Sequence, residues 1–198
     1  MTKLIGLTGG IATGKSAVSS YLKENQVPII DADLITHQVE KKGQGGFNAI
    51  VDQFGKRILT KDGQLDRKKL GRLVFNHSAE LKKLVRTIDP FIRLEITKQF
   101  EQRTGAGADL VILDAPTLFE NGYAHIVDEV VVVYCDPVTQ LHRLMVRNQL
   151  NISQASQRIK NQWPLQTKCD LADTIIYNSG TIAQTRLQVD EWLAAETN

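Results

Sequence analysis

Near the N-terminus, Leu4-Ile5-Gly6-Leu7-Thr8-Gly9-Gly10-Ile11-Ala12-Thr13-Gly14-Lys15-Ser16 passes from an apolar run, through glycines, into an amphipathic segment that continues to Glu24. Leu4 to Thr8 is short and almost wholly apolar, which reads as a strand covered on both faces. Lys15 to Glu24 has helical spacing. Between them, Gly9, Gly10, Ile11, Ala12, Thr13, Gly14, Lys15 and Ser16 fit G-x-x-x-x-G-K-[ST] in the context that pattern requires, after a strand and opening a helix. The glycines let the backbone wrap an anion with its N–H groups, and the helix N-terminus adds partial positive charge. Lys15 is placed to reach β- and γ-phosphates, and the Ser16 hydroxyl to hold Mg²⁺. The reading is a site for Mg-ATP and transfer of a phosphoryl group.

Working outward, the same kind of strand recurs. Val27 to Asp31, Leu110 to Asp114, Val130 to Tyr134 and Thr174 to Tyr177 are short apolar runs separated by helical stretches such as Asp33 to Lys41. Strands alternating with helices predict an α/β fold with a parallel sheet. From about 43 to 103 no buried-strand run occurs, and this stretch is expected to be a helical insertion. The five prolines, Pro28, Pro90, Pro116, Pro137 and Pro164, are expected at strand edges, helix starts or loops.

Two acidic positions follow strands, where open α/β sheets bind their ligands. Asp33 is placed to accept a proton from an attacking hydroxyl, or alternatively to cap the helix that follows. Asp114 ends an apolar run in the Walker B manner and is a candidate Mg²⁺ ligand, alone or through water. A third feature is negative: Pro137 to Cys169 contains no Asp or Glu but carries Arg143, Arg147, Arg158, Lys160 and Lys168. Such a run predicts a mobile lid whose arginines meet phosphate charge, against the plainer reading of a solvated basic face. Lys56 to Arg103 is basic too, with 13 Lys and Arg against 6 Asp and Glu, which suits an anionic substrate and an ordinary helical surface equally.

Composition removes several other classes. A hydrophobic fraction of 42% across 198 residues supports a packed core and argues against disorder. A formal net charge of +2 lacks the basic excess of a nucleic-acid binder. There is no membrane-length apolar run and no signal peptide, and Cys135 and Cys169 make no disulfide framework, so a cytoplasmic protein is expected. A GTPase switch would want an Asn-Lys-x-Asp motif, which the sequence lacks. A kinase acting on a nucleoside, nucleotide or sugar acid stays open on these motifs alone.

The ordered set of motifs resembles the dephospho-CoA kinase family across nearly the whole chain. The shared residues are Thr8-Gly9-Gly10-Ile11, Gly14-Lys15-Ser16 and Val27-Pro28-Ile29-Ile30-Asp31-Ala32-Asp33. Phe54-Gly55, Asp62-Gly63, Leu65-Asp66-Arg67, Val74-Phe75 and Leu118-Phe119-Glu120 follow in order. Arg143, Arg147, Arg158, Gln162, Lys168, Ala172-Asp173 and Asn178 complete it.

The resemblance implies transfer of the ATP γ-phosphate to the 3′-hydroxyl of the ribose of dephospho-CoA, the last step of coenzyme A synthesis. It implies a nucleoside-monophosphate-kinase-like P-loop core at about 1–42, 104–136 and 170–198, a helical substrate-binding insertion at about 43–103 and a lid at about 137–169. It further implies Asp33, Lys15 and Arg147 as catalytic residues. Residues 9–17 with Arg143, Arg147 and Asn178 would contact ATP, Asn178 near the adenine. Thr8, Asp33, Leu118, Phe119 and Glu120 would contact the second substrate. The family usually carries Gly at position 12 and Thr at 17, where Ala12 and Ala17 stand here. Ala12 requires a backbone that avoids positive φ. Thr117 stands for a usual Leu, Asp89 for a usual His before Pro90, and Asn148 for a usual Asp.

Overall fold

A computed structural model describes residues 1–74 and 77–196. Phe75 of the Val74-Phe75 motif lies outside them. In chain order the first elements are β1 (Lys3–Gly9), α1 (Lys15–Glu24), β2 (Ile29–Asp31), α2 (Ala32–Val39) and α3 (Gly45–Phe54). A 3₁₀ turn (Lys56–Ile58), α4 (Arg67–Val74) and α5 (Ser78–Gly105) come next. Then follow β3 (Leu110–Asp114), a second 3₁₀ turn (Tyr123–Ile126), β4 (Glu129–Tyr134), α6 (Pro137–Asn148), α7 (Ile152–Lys160), α8 (Leu165–Asp170), β5 (Thr174–Tyr177) and α9 (Ile182–Glu196).

The five strands form one parallel sheet in the order β2-β3-β1-β4-β5. The register sets Ile5 beside Ile112, Leu7 beside Asp114 and Val131, and Val133 beside Ile176. Side chains alternate across a strand, so a strand buried on both faces must be apolar at successive positions. β3 is buried at all five of its positions, four of them apolar and the fifth Asp114. One face of the sheet is covered by α1 and α9. Ile5, Leu7, Leu110, Ile112, Val131, Val133 and Ile176 join Val18, Leu22, Val189 and Trp192 in a single core. Each such side chain, fully buried, contributes roughly 1.5–3 kcal/mol.

The chain divides into two compact units, residues 1–30 with 102–198, and residues 31–101. The second unit begins at Asp31, earlier than the expected start near 43, because α2 belongs with the helices that follow it. Arg67 of α4 forms an ion pair with Glu40 just beyond α2, at 2.8 Å, and contacts the His37 ring. Burial raises the Glu40 carboxyl, with Arg67 pulling the other way. Within Leu65-Asp66-Arg67, Leu65 bridges back to Leu59 around the Asp62-Gly63 turn, and Asp66 accepts from the Lys69 N–H at 3.0 Å to cap α4.

Pro90 departs from expectation, since it lies inside α5 rather than at an element end. It has no N–H to offer the Arg86 carbonyl, a defect that costs about 3 kcal/mol in an isolated helix. Tertiary burial of Ile88, Ile92 and Ile96 carries the helix through it.

Candidate active site

The turn between β1 and α1 is positioned by the sheet and shaped by its own backbone. Gly14 precedes α1 with φ 96°, and no side chain caps that N-terminus. The first turn of α1 carries no acidic residue, so its partial positive charge is not answered locally. A Cβ at Gly14 would lie 1.8 Å from Asn178 Nδ2, so position 14 requires glycine on two counts. Ala12 contradicts the expectation made for it. Its φ is 63°, in the left-handed region, where a Cβ crowds the following carbonyl oxygen.

Lys15 and Asp114 come together. The Lys15 ammonium is ion-paired to Asp114 Oδ1, and both side chains are largely withdrawn from solvent. Ser16 is exposed in the first turn of α1. The oxygen donors Ser16 and Asp114 suit a hard divalent cation, which keeps water and substrate phosphates in most of its coordination positions. No cluster of three or more acidic, His or Cys side chains fit for a metal occurs among the described residues.

The carbonyls of the loop are bonded from outside. Asn178 Nδ2 donates to the Thr13 carbonyl at 2.8 Å, and its Oδ1 accepts from the Thr185 hydroxyl at 2.8 Å. Gln140 of α6 donates to the Ile11 carbonyl at 2.9 Å. Gln162 accepts from the Ile11 N–H at 2.7 Å. Lys168 of α8 is fully buried and donates to the carbonyls of Gly9 (3.4 Å) and Pro116 (3.0 Å) and to Glu120 Oε1 (2.8 Å). Glu120 also accepts from the Trp163 N–H at 3.1 Å, and the Phe119 and Trp163 rings stack with centroids 6.0 Å apart.

Several residues therefore differ from what their positions imply. Leu118 is fully buried and packed over Gly6 of β1. Thr8 is fully buried, its hydroxyl donating to the Pro116 carbonyl at 3.2 Å. Lys168 is buried rather than part of a solvated face. Its charge is neutralised by Glu120, a partner from a distant stretch that local composition does not reveal. Gln140 and Thr185 were missed because their role lies in a single contact each. Gln162 was visible only as a family match without a role, and Lys168 as that and as one cation of the acid-free stretch.

α6 and α7 carry the remaining cations of the acid-free stretch. Arg143 Nη1 donates to the Asn178 carbonyl at 2.8 Å. Arg147 is exposed, its Nε donating to Asn148 Oδ1 at 2.9 Å, and Arg158 and Lys160 are exposed. Cys135 and Cys169 are free and buried, and burial pushes both thiols up, away from nucleophilic chemistry. In the other unit, Asp31 caps α2 by accepting from the Leu34 N–H at 2.9 Å. Asp33 sits exposed in the first turn of that helix, so the cap is not its task.

A parallel sheet, a phosphate loop and a loop lysine held against the aspartate that ends β3 define a P-loop kinase. The fold is shared at TM-score 0.54 by a shikimate kinase of Acinetobacter baumannii, 16% identical, covering 98% of this chain and 93% of that one. The sequence model of the family described as dephospho-CoA kinase matches residues 3–184, and the chain belongs to that family. A dephospho-CoA kinase of Enterococcus faecalis is 46% identical over 98% of this chain and 96% of its own. One of Geobacillus kaustophilus is 44% identical over 99% and 100%. The solved dephospho-CoA kinase of Campylobacter jejuni is similar at TM-score 0.73 and 28% identity, over 98% of this chain and 96% of that one. The activity is phosphorylation of dephospho-CoA with ATP, the final step of coenzyme A synthesis. No helix among the described residues is long and apolar enough to cross a membrane.

Proposed function

We propose that the loop Gly9 to Ala17 holds the ATP phosphates, that Lys15 and Arg147 meet the charge of the transferring group, and that Asp33 receives the proton of the ribose 3′-hydroxyl. The observation that carries this is the α1 N-terminus: uncapped, free of acidic residues, and headed by a lysine whose ammonium is held in place by Asp114. A lysine held at the mouth of the loop needs little reorganisation to meet the β- and γ-phosphates. Arg143, fixed through the Asn178 carbonyl, contributes a steady positive field, whereas exposed Arg147 is the one free to move onto the phosphoryl group. Asn178 serves ATP through Thr13, because both ends of its amide are already engaged.

Mg²⁺ would be held by the Ser16 hydroxyl and by Asp114, directly or through water, and would neutralise phosphate charge when bound. Phe119, half-buried on the Trp163 ring, and Glu120 support the second substrate, Glu120 through the segment it anchors. The reaction calls for small-molecule partners alone, ATP and dephospho-CoA, and for neither nucleic acid nor a membrane; its place is the cytoplasm.

A ribose hydroxyl is a poor nucleophile at neutral pH, and a carboxylate in reach raises its reactivity by taking the proton. Asp33→Asn keeps the shape of the side chain and removes the basicity. Turnover is expected to fall by about a hundredfold or more. A lost helix cap does not account for that fall, since Asp31 makes the cap. Normal coenzyme A formation by folded Asp33→Asn protein removes Asp33 from the mechanism.

A further inference from the structure

We infer that Lys168, Gln140 and Asn178 are positioning residues that form an outer frame around the phosphate loop, turning alternate peptide groups so that their N–H groups face the anion. The inference rests on reading residues 9–16 as the phosphate site. In a trans peptide the C=O and the following N–H point in opposite directions. No peptide bond among the described residues is cis. A side chain that draws a carbonyl outward therefore turns the next N–H inward.

Three carbonyls of the loop, at every second residue, are drawn this way. Lys168 takes Gly9, Gln140 takes Ile11 and Asn178 takes Thr13, at 3.4, 2.9 and 2.8 Å. The N–H groups so directed belong to Gly10, Ala12 and Gly14. The peptide between Gly10 and Ile11 is turned the opposite way by the same logic. Its N–H goes out to Gln162, and its carbonyl accepts from the Thr13 N–H at 3.2 Å and hydroxyl at 2.9 Å.

The donors are themselves held. Lys168, Gln140 and Asn178 are 0%, 5% and 6% exposed. Glu120 fixes Lys168, and Thr185, 2% exposed, fixes Asn178. A buried ion pair is costly to desolvate, and an apolar pair of like volume often packs as well or better. What an apolar pair cannot do is donate to the carbonyls of Gly9 and Pro116. The frame also accounts for Ala12: an outward pull on the Ile11 carbonyl helps hold position 12 in a conformation that alanine resists.

Gln140→Glu and Asn178→Asp are near-isosteric and replace a donor with an acceptor facing a carbonyl. Lys168→Met removes a donor, and Lys168→Met with Glu120→Met removes the stranded carboxylate as well. ADP and dephospho-CoA affinities are measured by calorimetry on each protein shown to be folded, with Lys15→Ala alongside. ADP affinity is expected to fall about tenfold in each of Gln140→Glu, Asn178→Asp and Lys168→Met, the scale of one lost buried hydrogen bond. Dephospho-CoA affinity is expected to move less than about twofold in the two isosteric variants, since neither touches the phosphate acceptor. The double variant is expected to regain the thermal midpoint lost by Lys168→Met without regaining ADP affinity, which a merely structural role would restore together. Unchanged ADP affinity in Gln140→Glu and Asn178→Asp, with Lys15→Ala impaired, overturns the frame and leaves the phosphate site standing. Unchanged ADP affinity in Lys15→Ala overturns both.

Discussion

Ala12 and Lys15 show how one side chain sets the character of the loop. The family pattern has glycine at position 12, and the sequence reading asked the backbone there to avoid positive φ. The backbone instead keeps φ 63° and accepts the alanine. Left-handed conformation costs alanine about 1–2 kcal/mol. Glycine removes that cost but gives back about 0.5–1 kcal/mol of unfolded-chain entropy. Ala12→Gly is therefore expected to raise stability by up to about 1 kcal/mol in urea unfolding. A destabilised Ala12→Gly protein would mean that position 12 does not hold positive φ in solution.

For Lys15, removal acts twice. Lys15→Ala abolishes compensation of phosphate charge, and turnover collapses. It also leaves Asp114, at 7% side-chain exposure, without its cation. The stability loss is expected on the order of 2 kcal/mol, less than for a fully buried pair because Lys15 keeps some exposure. Lys15→Met with Asp114→Asn is expected to regain stability and remain inactive; recovery of turnover in that protein contradicts the role given to the pair. The loop lysine was legible because its chemistry depends on neighbours in sequence. Lys168 was not, because the partner that makes burial tolerable, Glu120, is 48 residues away.

At the scale of elements, the strands were the most legible parts. β3 and β5 occupy the spans their apolar runs mark, and α1 does the same for its period. β2 is shorter than Val27 to Asp31, because Val27 and Pro28 belong to the approach, where the Pro28 carbonyl accepts from the Ile112 N–H at 2.9 Å. Pro90 was misplaced for the converse reason: a local rule about proline gave way to burial along α5. The acid-free stretch from Pro137 to Cys169, expected to form a lid, consists of three helices of different character. α6 supplies Gln140 to the loop, α7 is largely exposed, and α8 is built into the core through Lys168.

α6 is capped by Asp136, which accepts from the Thr139 N–H at 2.9 Å. Hydrogen bonds from the Thr139 hydroxyl and N–H hold its carboxyl down, at about 2 against an ordinary 3.8. A carboxyl depressed on folding stabilises the protein fully above its unfolded value, and the contribution is lost as pH falls through the folded value. Asp136→Ala should therefore melt lower than the parent at pH 6, and the gap should narrow as pH drops from about 4 toward 2. A gap that stays constant over that window would show that the charge on Asp136 plays no part in the cap.

At the scale of the molecule, sequence patterns place the start of the helical insertion near 43, while the chain divides into compact units at Asp31. The boundary at Asp31 depends on Arg67 reaching Glu40 and His37, a contact between segments that no local period reveals. The phosphate loop alone is compatible with many acceptors, and a shared sheet says little about which one is used. That the acceptor is dephospho-CoA follows from the family to which the chain belongs.

The direct measurement supplies the purified protein with ATP and dephospho-CoA and follows both products by chromatography, with parallel reactions on water, a nucleoside and a sugar acid. Coenzyme A and ADP are expected in equal amounts, with phosphate transfer to the other acceptors slower by at least about a hundredfold. ADP released without coenzyme A, or a faster reaction with another acceptor, would contradict the account.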